Sequence, residues 1–140
     1  MKHLYILGFI FFLGQFINAQ IVINELDTDT PSTDTQEFIE LLSDTPNFLL
    51  DGYVVVLFNG SESGGNSSYF TIDLDSYITD VNGLLLIGSN GVSPVPQLLI
   101  PPAVIQNGPD AVAVYQANSS DFPEGTLATT NNLIAALMYD

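Results

Sequence analysis

The sequence predicts an all-β domain of the sandwich or barrel class, and the spacing of its apolar segments carries this prediction. Short apolar segments recur along the chain, and residues rich in Asp, Asn, Gly, Ser, Thr and Pro separate them. Short strands with regular turn signals between them are typical of small all-β domains. The predicted strands are residues 21–26, 37–42, 53–58, 69–74, 84–87, 111–116 and 135–139.

The apolar pattern within a segment predicts how many faces of each strand are covered. Residues 53–58 and 111–115 are continuously apolar, which indicates strands that are buried on both faces. Residues 21–24 alternate better, as a half-buried strand does. Residues 98–102 end in two prolines, which cannot donate to a strand ladder, so we expect an edge strand or an extended connector there.

Two of the predicted strands have a helical alternative. Phe38, Leu41 and Leu42 also fit helical spacing, and residues 132–138 are rich enough in Ala to form a short helix behind an Asn cap. We favour strands for both segments, because their lengths and their neighbours along the chain resemble those of the other strands.

The first nineteen residues have the architecture of a secretory signal peptide. Lys2 and His3 precede an almost wholly apolar run over residues 4–17, and Ala19 offers a small residue at the cleavage site. The run is too short for a transmembrane span, and no later stretch is long and apolar enough for one. We therefore expect a signal peptide at residues 1–19, a secreted or cell-surface location, and one domain over residues 20–140.

The charge of the exported chain excludes several classes of function. Its sixteen Asp and Glu residues all follow residue 19, where there is no Lys, Arg, His or Cys. Such a chain cannot neutralise phosphates, so we expect no direct binding of nucleic acid. It also cannot form a Ser–His or Cys–His pair for nucleophilic catalysis. We expect a protein or cell-surface partner that is basic or bridged by a metal ion.

The densest group of carboxylates lies between the first two predicted strands and is the candidate metal site. Oxygen ligands suit Ca²⁺, which takes six to eight of them, and carboxylates that lack cationic partners repel one another. The candidate ligands are Asp27, Asp29, Asp34 and Glu37.

The spacing of these carboxylates does not match an EF-hand. With Asp27 as the first position, Ser32 replaces the required Gly and Phe38 replaces the last Glu. The alternative is a solvated loop in which Asp and Thr side chains form local turns. Asp73, Asp75 and Asp80 form a second acidic turn, and Asp110 is expected to cap the turn before its strand.

Several motifs along the chain occur in the order found in one known family. The sequence resembles the lamin tail domain in its bacterial, secreted form, and the resemblance covers most of residues 20–140. The matching pieces are I-N-E-L at 23–26, E-F-I-E-L at 37–41, L-D-G-Y at 50–53, the apolar strand at 83–88, N-G-P-D-A-V-A-V-Y at 107–115, and residues 133–140.

The resemblance implies an immunoglobulin-like β-sandwich without a catalytic motif of its own. In bacteria such modules commonly belong to secreted or surface proteins, so we expect a non-catalytic module with interaction or accessory roles. One alternative is the N-terminal accessory domain of a longer secreted nuclease or hydrolase of the endonuclease/exonuclease/phosphatase type. Another is a Ca²⁺-dependent carbohydrate-binding module, which would need several aromatic side chains exposed on one face.

Overall fold

The computed structural model describes residues 20–29 and 34–140, and the predicted signal peptide lies outside them. This part of the chain contains eight β-strands and one short 3-10 helix, Ser119–Asp121. All seven predicted strands are confirmed, with bounds that differ by at most two residues. The strands are β1 (Ile21–Asp27), β2 (Phe38–Ser43), β3 (Tyr53–Asn59), β4 (Ser67–Asp73), β5 (Leu84–Gly88), β6 (Leu98–Leu99), β7 (Asp110–Gln116) and β8 (Leu133–Tyr139).

The strands form two four-stranded sheets that pack face to face as a β-sandwich. The first sheet has the order β1-β2-β5-β6, and the second has the order β4-β3-β7-β8. Neighbouring strands are antiparallel except for β5 and β6, which run parallel. The two-residue β6 is an edge strand just before Pro101, as the sequence predicted.

The main hydrophobic core lies between the two sheets. Alternate side chains of each strand enter it, including Ile39 and Leu41 of β2 and Val55 and Leu57 of β3, and all four are fully buried. This alternation follows from the pleat of a strand, which sends successive side chains to opposite faces. The core residues of the described ranges all lie between Ile21 and Tyr139.

The outer face of the second sheet carries a second apolar cluster. Val54, Val56 and Phe58 of β3 point away from the main core and pack with Ala113 and Tyr115 of β7. The two strands predicted to be covered on both faces, β3 and β7, are therefore confirmed as central strands of this sheet.

The segment between β7 and β8 provides this cover, and we call residues 117–132 the cover loop. Phe122 of this loop packs on the outer face, with its ring centroid 4.5 Å from that of Tyr115 and 6.4 Å from that of Phe58. The loop then runs along β4, where the Ser68 hydroxyl donates to the Pro123 carbonyl at 2.8 Å. It returns to β8 beneath the Tyr115 hydroxyl, which donates to the Thr129 carbonyl at 2.9 Å.

Candidate interaction site

The residues predicted to bind Ca²⁺ lie at one end of the sandwich, where β1 finishes and β2 begins. Asp27 ends β1, and its carboxylate accepts a hydrogen bond from the Asp29 amide at 3.3 Å. Asp34 accepts a hydrogen bond from the Asn107 side-chain amide, also at 3.3 Å. The first bond closes a local turn, and the second ties the segment before β2 to the segment before β7.

Glu37, the fourth predicted ligand, is fully buried and faces the segment between β6 and β7. Its Oε2 atom accepts hydrogen bonds from the amides of Val104 at 3.1 Å and Ile105 at 3.4 Å. Its Oε1 atom is also buried and has no hydrogen-bond partner among the described protein atoms. Burial raises the pKa of this carboxyl, although the two amides oppose the rise.

The interior around Glu37 contains two tyrosine hydroxyls and one further carboxylate. Burial raises the pKa of both Tyr69 and Tyr139, and their electrostatic neighbours include Glu37 and Asp110. The Tyr69 hydroxyl accepts a hydrogen bond from the Gln106 amide at 3.0 Å. The Tyr139 hydroxyl lies beside it but meets no partner at hydrogen-bond geometry. These groups hold the segment before β7 against both sheets.

The structure does not bring the predicted Ca²⁺ ligands together into a recognisable site. Within residues 20–29 and 34–140, no three Asp, Glu, His or Cys side chains are grouped closely enough to hold a metal ion. Residues 30–33, in the middle of this loop, lie outside the described residues. The Ca²⁺ site therefore stays a prediction. The Glu37 carboxylate faces the Val104 and Ile105 amides.

The carboxylates of the second acidic turn serve as acceptors for nearby donors. Asp80 accepts from the Leu84 amide at 2.9 Å and from the Asn82 amide at 2.8 Å. Asp73 accepts from the Ser119 hydroxyl at 2.7 Å. The Leu84 amide and the Ser119 hydroxyl are the main causes that lower the pKa of Asp80 and Asp73 respectively. The Asp80 bonds close the turn before β5, and the Ser119 bond ties Asp73 to the cover loop.

The sequence predicted that Asp110 caps the turn before its strand, but its carboxylate serves a distant part of the chain instead. Asp110 is the buried first residue of β7, and its carboxylate accepts a hydrogen bond from the Gly60 amide at 3.0 Å. A side chain at position 60 would overlap the Pro109 carbonyl, so this approach requires glycine. The prediction was wrong because the donor lies fifty positions away in the sequence.

The described aromatic side chains do not form an exposed platform. Tyr53, Phe58, Tyr115 and Phe122 are buried, and the remaining Phe and Tyr residues of the described ranges are half-buried. Glycan-binding platforms need aromatic faces that are open to solvent, because the sugar ring stacks on them. The aromatic residues here pack in the core and on the outer face of the second sheet.

A groove lies on the outer face of the second sheet. We call it the β7–β8 groove, and its volume is about 840 Å³. Its floor consists of the outward side chains of β7 and β8, where Ala113 pairs with Ala136 and Ala111 pairs with Met138. Alanine side chains leave space that larger residues would fill, and this is why the sheet surface is concave here.

The cover loop and the end of the sandwich supply the walls of the β7–β8 groove. Ala128, Thr129 and Thr130 of the cover loop form one wall, and Gly60 and Pro109 close one end. On the other side, β7 is the one strand of the described ranges that pairs with β8. Met138, which is 84% exposed, lies at this open side.

The groove was not predicted from the sequence, although the positions of the alanines in the two segments are consistent with it. Alanines alternate with larger apolar residues at 111 and 113 in the first segment, and two adjacent alanines stand at 135 and 136 in the second. This pattern does not indicate that β7 and β8 are neighbours, or that the cover loop leaves their outer face partly open. Both facts depend on pairing between distant segments.

The lining of the groove is mainly apolar. Volumes of a few hundred to a thousand cubic ångströms with mainly apolar linings are usual for ligand sites. The lining residues include Tyr115, Leu133, Met138 and several alanines, and the carboxylate among them, Asp110, is nearly buried. Such a surface can remove apolar groups of a ligand from water.

No helix in the described ranges is long and apolar enough to cross a membrane. Comparison of the chain with protein-family models, curated proteins and solved structures gave no match.

Proposed function

We propose that residues 20–140 form an exported, non-catalytic interaction module of the immunoglobulin-like, lamin-tail type. The β7–β8 groove is its binding surface. The groove supports this proposal because it is a shaped apolar surface of ligand-site size. The absence of Lys, Arg, His and Cys from these residues supports a binding role over a nucleophilic one.

The sequence motifs supply the remaining support for this proposal. The I-N-E-L and E-F-I-E-L segments fall on β1 and β2, and the L-D-G-Y segment leads directly into β3. The pattern of Lys2, His3, an apolar run and Ala19 supports export, with release or display at the cell surface.

A neutral, solvatochromic apolar dye tests the groove directly. We expect the dye to bind folded residues 20–140, and we expect Ala136→Trp to weaken binding at least tenfold, because an indole would cover the floor. Ala136 is exposed, so the larger side chain can be accommodated without repacking the core.

The matched control is Val22→Trp, which adds the same indole to β1 of the opposite sheet, where Val22 is 38% exposed. Thermal melts should show that both variants remain folded. Equal dye binding by the two variants would contradict the assignment of the groove as the binding surface.

Export has a separate test. Amino-terminal sequencing of the protein recovered outside the cytoplasm of its host should begin at Gln20. A chain retained inside the cell with Met1 still present would contradict the exported location.

A further inference from the structure

The chemistry around the β7–β8 groove indicates which partner fits it. After residue 19 the chain carries sixteen carboxylates and no side-chain cation. Its net charge is therefore strongly negative, so it repels anionic partners and attracts cationic ones. A second copy of the chain would bring the same negative charge and would be repelled.

Negative charge is also present at one end of the groove itself. Asp110 belongs to the lining, and Asp140 directly follows Tyr139, another lining residue. Glu62 lies in the loop between Gly60 and Asn66, both of which line the groove. Glu62 and Asp140 are exposed, so a bound cation could reach them from solvent.

The shape of the groove favours an extended chain. Its floor follows β7 and β8, which are seven residues long each, and a strand rises about 3.3 Å per residue. An extended segment of five or six residues would span roughly 17–20 Å of this floor. Its open side lies along β8, which has no second neighbouring strand among the described residues, so a segment can enter from the side.

From these observations we infer that the groove binds an extended, basic segment of a partner protein, with aliphatic side chains alternating with Lys or Arg. The aliphatic side chains lie on the alanine floor, and the basic ones reach the carboxylates at its end. This inference rests on the proposed function of the groove and adds the chemistry of its partner.

Three labelled hexapeptides test the inference by fluorescence anisotropy with residues 20–140. The peptides are Lys-Val-Lys-Val-Lys-Val, Ser-Val-Ser-Val-Ser-Val and Glu-Val-Glu-Val-Glu-Val. We expect the basic peptide to bind most tightly and the acidic peptide not to bind. Raising NaCl from 20 to 500 mM should weaken the basic complex, because salt screens exposed charges.

Two sets of variants locate the binding. Ala136→Trp should weaken the basic peptide at least tenfold, and Val22→Trp should not change its affinity. The double variant Glu62→Gln/Asp140→Asn should weaken it roughly 3–10-fold, as expected for the loss of two exposed charge contacts. The same double variant should leave the affinity for the neutral dye unchanged.

The outcomes separate this inference from the proposed function. If the neutral peptide binds as tightly as the basic one and Ala136→Trp blocks both, the groove binds but its preference for basic partners is wrong. If Ala136→Trp leaves the basic peptide unaffected, the attraction is diffuse and the inference fails; if Ala136→Trp also leaves dye binding unaffected, the proposed function fails as well. Failure of all three peptides and of the dye would also overturn both.

A second copy of the chain is the other occupant that the experiment distinguishes. If sedimentation shows a dimer that Ala136→Trp dissociates, a second copy is the occupant, and the inference again fails.

Discussion

At the scale of single residues, the most unusual group is the buried carboxyl of Glu37. A buried carboxylate normally pairs with a cation or several donors, and this chain has no side-chain cation after residue 19. Two backbone amides serve Oε2, and Oε1 has no partner among the described protein atoms. The neutral acid is therefore favoured by burial, and the pKa of Glu37 is raised.

We predict that Glu37→Gln stabilises the domain at neutral pH by about 1 kcal/mol, the low end of the cost of burying a polar group without full pairing, because it removes the ionised form that burial disfavours. The amide is isosteric, keeps an oxygen for the Val104 and Ile105 amides, and removes the buried charge. A carboxyl whose pKa is raised on folding adds stability below the unfolded pKa and loses it as pH rises through the folded pKa. The gain should therefore shrink as pH falls toward 4, as urea denaturation can measure.

Glu40→Gln is the matched control for this prediction, since Glu40 lies on the same strand and accepts from the exposed Asn24 side chain. It should change the free energy of unfolding by less than about 0.5 kcal/mol. A Glu37→Gln variant that is less stable than the native chain at pH 8 would show that the ionised carboxylate is favourable here.

The Ca²⁺ prediction can also be tested with substitutions of single residues. If the acidic loop binds Ca²⁺, millimolar CaCl2 should raise the melting temperature beyond the effect of NaCl at matched ionic strength, and binding should saturate. Asp27→Asn or Asp29→Asn should abolish this extra rise. Equal effects of the two salts on the native chain would reject the site.

At the scale of secondary-structure elements, the cover loop makes a double-sided strand possible. The continuous apolar run of β3 needs a layer on the outer face of its sheet, and Phe122 provides the centre of that layer. Phe122 is only 6% exposed, and its carbonyl accepts from the Thr71 hydroxyl at 2.8 Å. The loop is therefore part of the packing of the second sheet.

We predict that Phe122→Ala lowers the free energy of unfolding by about 3–5 kcal/mol, the usual range for truncation of a buried Phe. Leu127→Ala in the same loop is the control, because Leu127 is 67% exposed and should cost less than about 0.5 kcal/mol. Urea denaturation of both variants measures the difference. Similar small losses would mean that the cover loop is not tightly packed.

The turn before β5 depends on the charge of Asp80. Because the Leu84 amide lowers the pKa of Asp80 in the fold, this carboxylate adds stability above its unfolded pKa of 3.8 and loses it as pH falls through the folded pKa. We predict that Asp80→Asn lowers the melting temperature at pH 7 and that the difference disappears between about pH 4 and pH 2. A difference that persists at pH 2 would contradict an electrostatic cause.

At the scale of the whole molecule, the excess of negative charge opposes compaction. Sixteen carboxylates without a side-chain cation repel one another. We predict that NaCl between 20 and 500 mM raises the melting temperature by a few degrees, since the Debye length falls to a few ångströms in this range. A melting temperature that does not rise with NaCl would show that repulsion contributes little to stability.

The strands were predictable because their signals are local. Continuous apolar runs predicted the central positions of β3 and β7, and prolines 101 and 102 predicted the edge position of β6. The helical alternatives at 38–42 and 132–138 were rejected correctly. Neighbouring residues decide these properties, because periodicity and turn chemistry depend on a few successive positions.

The sites were less predictable, because their contacts join distant segments. The acidic composition marked Glu37 as a candidate ligand but gave no sign of its contacts with Val104 and Ile105, which lie far along the chain. The same limit applied to Asp110, whose donor is the Gly60 amide.

The sequence by itself determined the all-β class, the positions of the strands and the lack of Lys, Arg and His after residue 19, since these follow from local pattern and composition. Only the tertiary structure decided the order of the strands in the two sheets, the burial of Glu37 and the groove over β7 and β8. The physical reason is that these features depend on which remote strands pair and on how one long loop packs across them, and no local pattern carries that information.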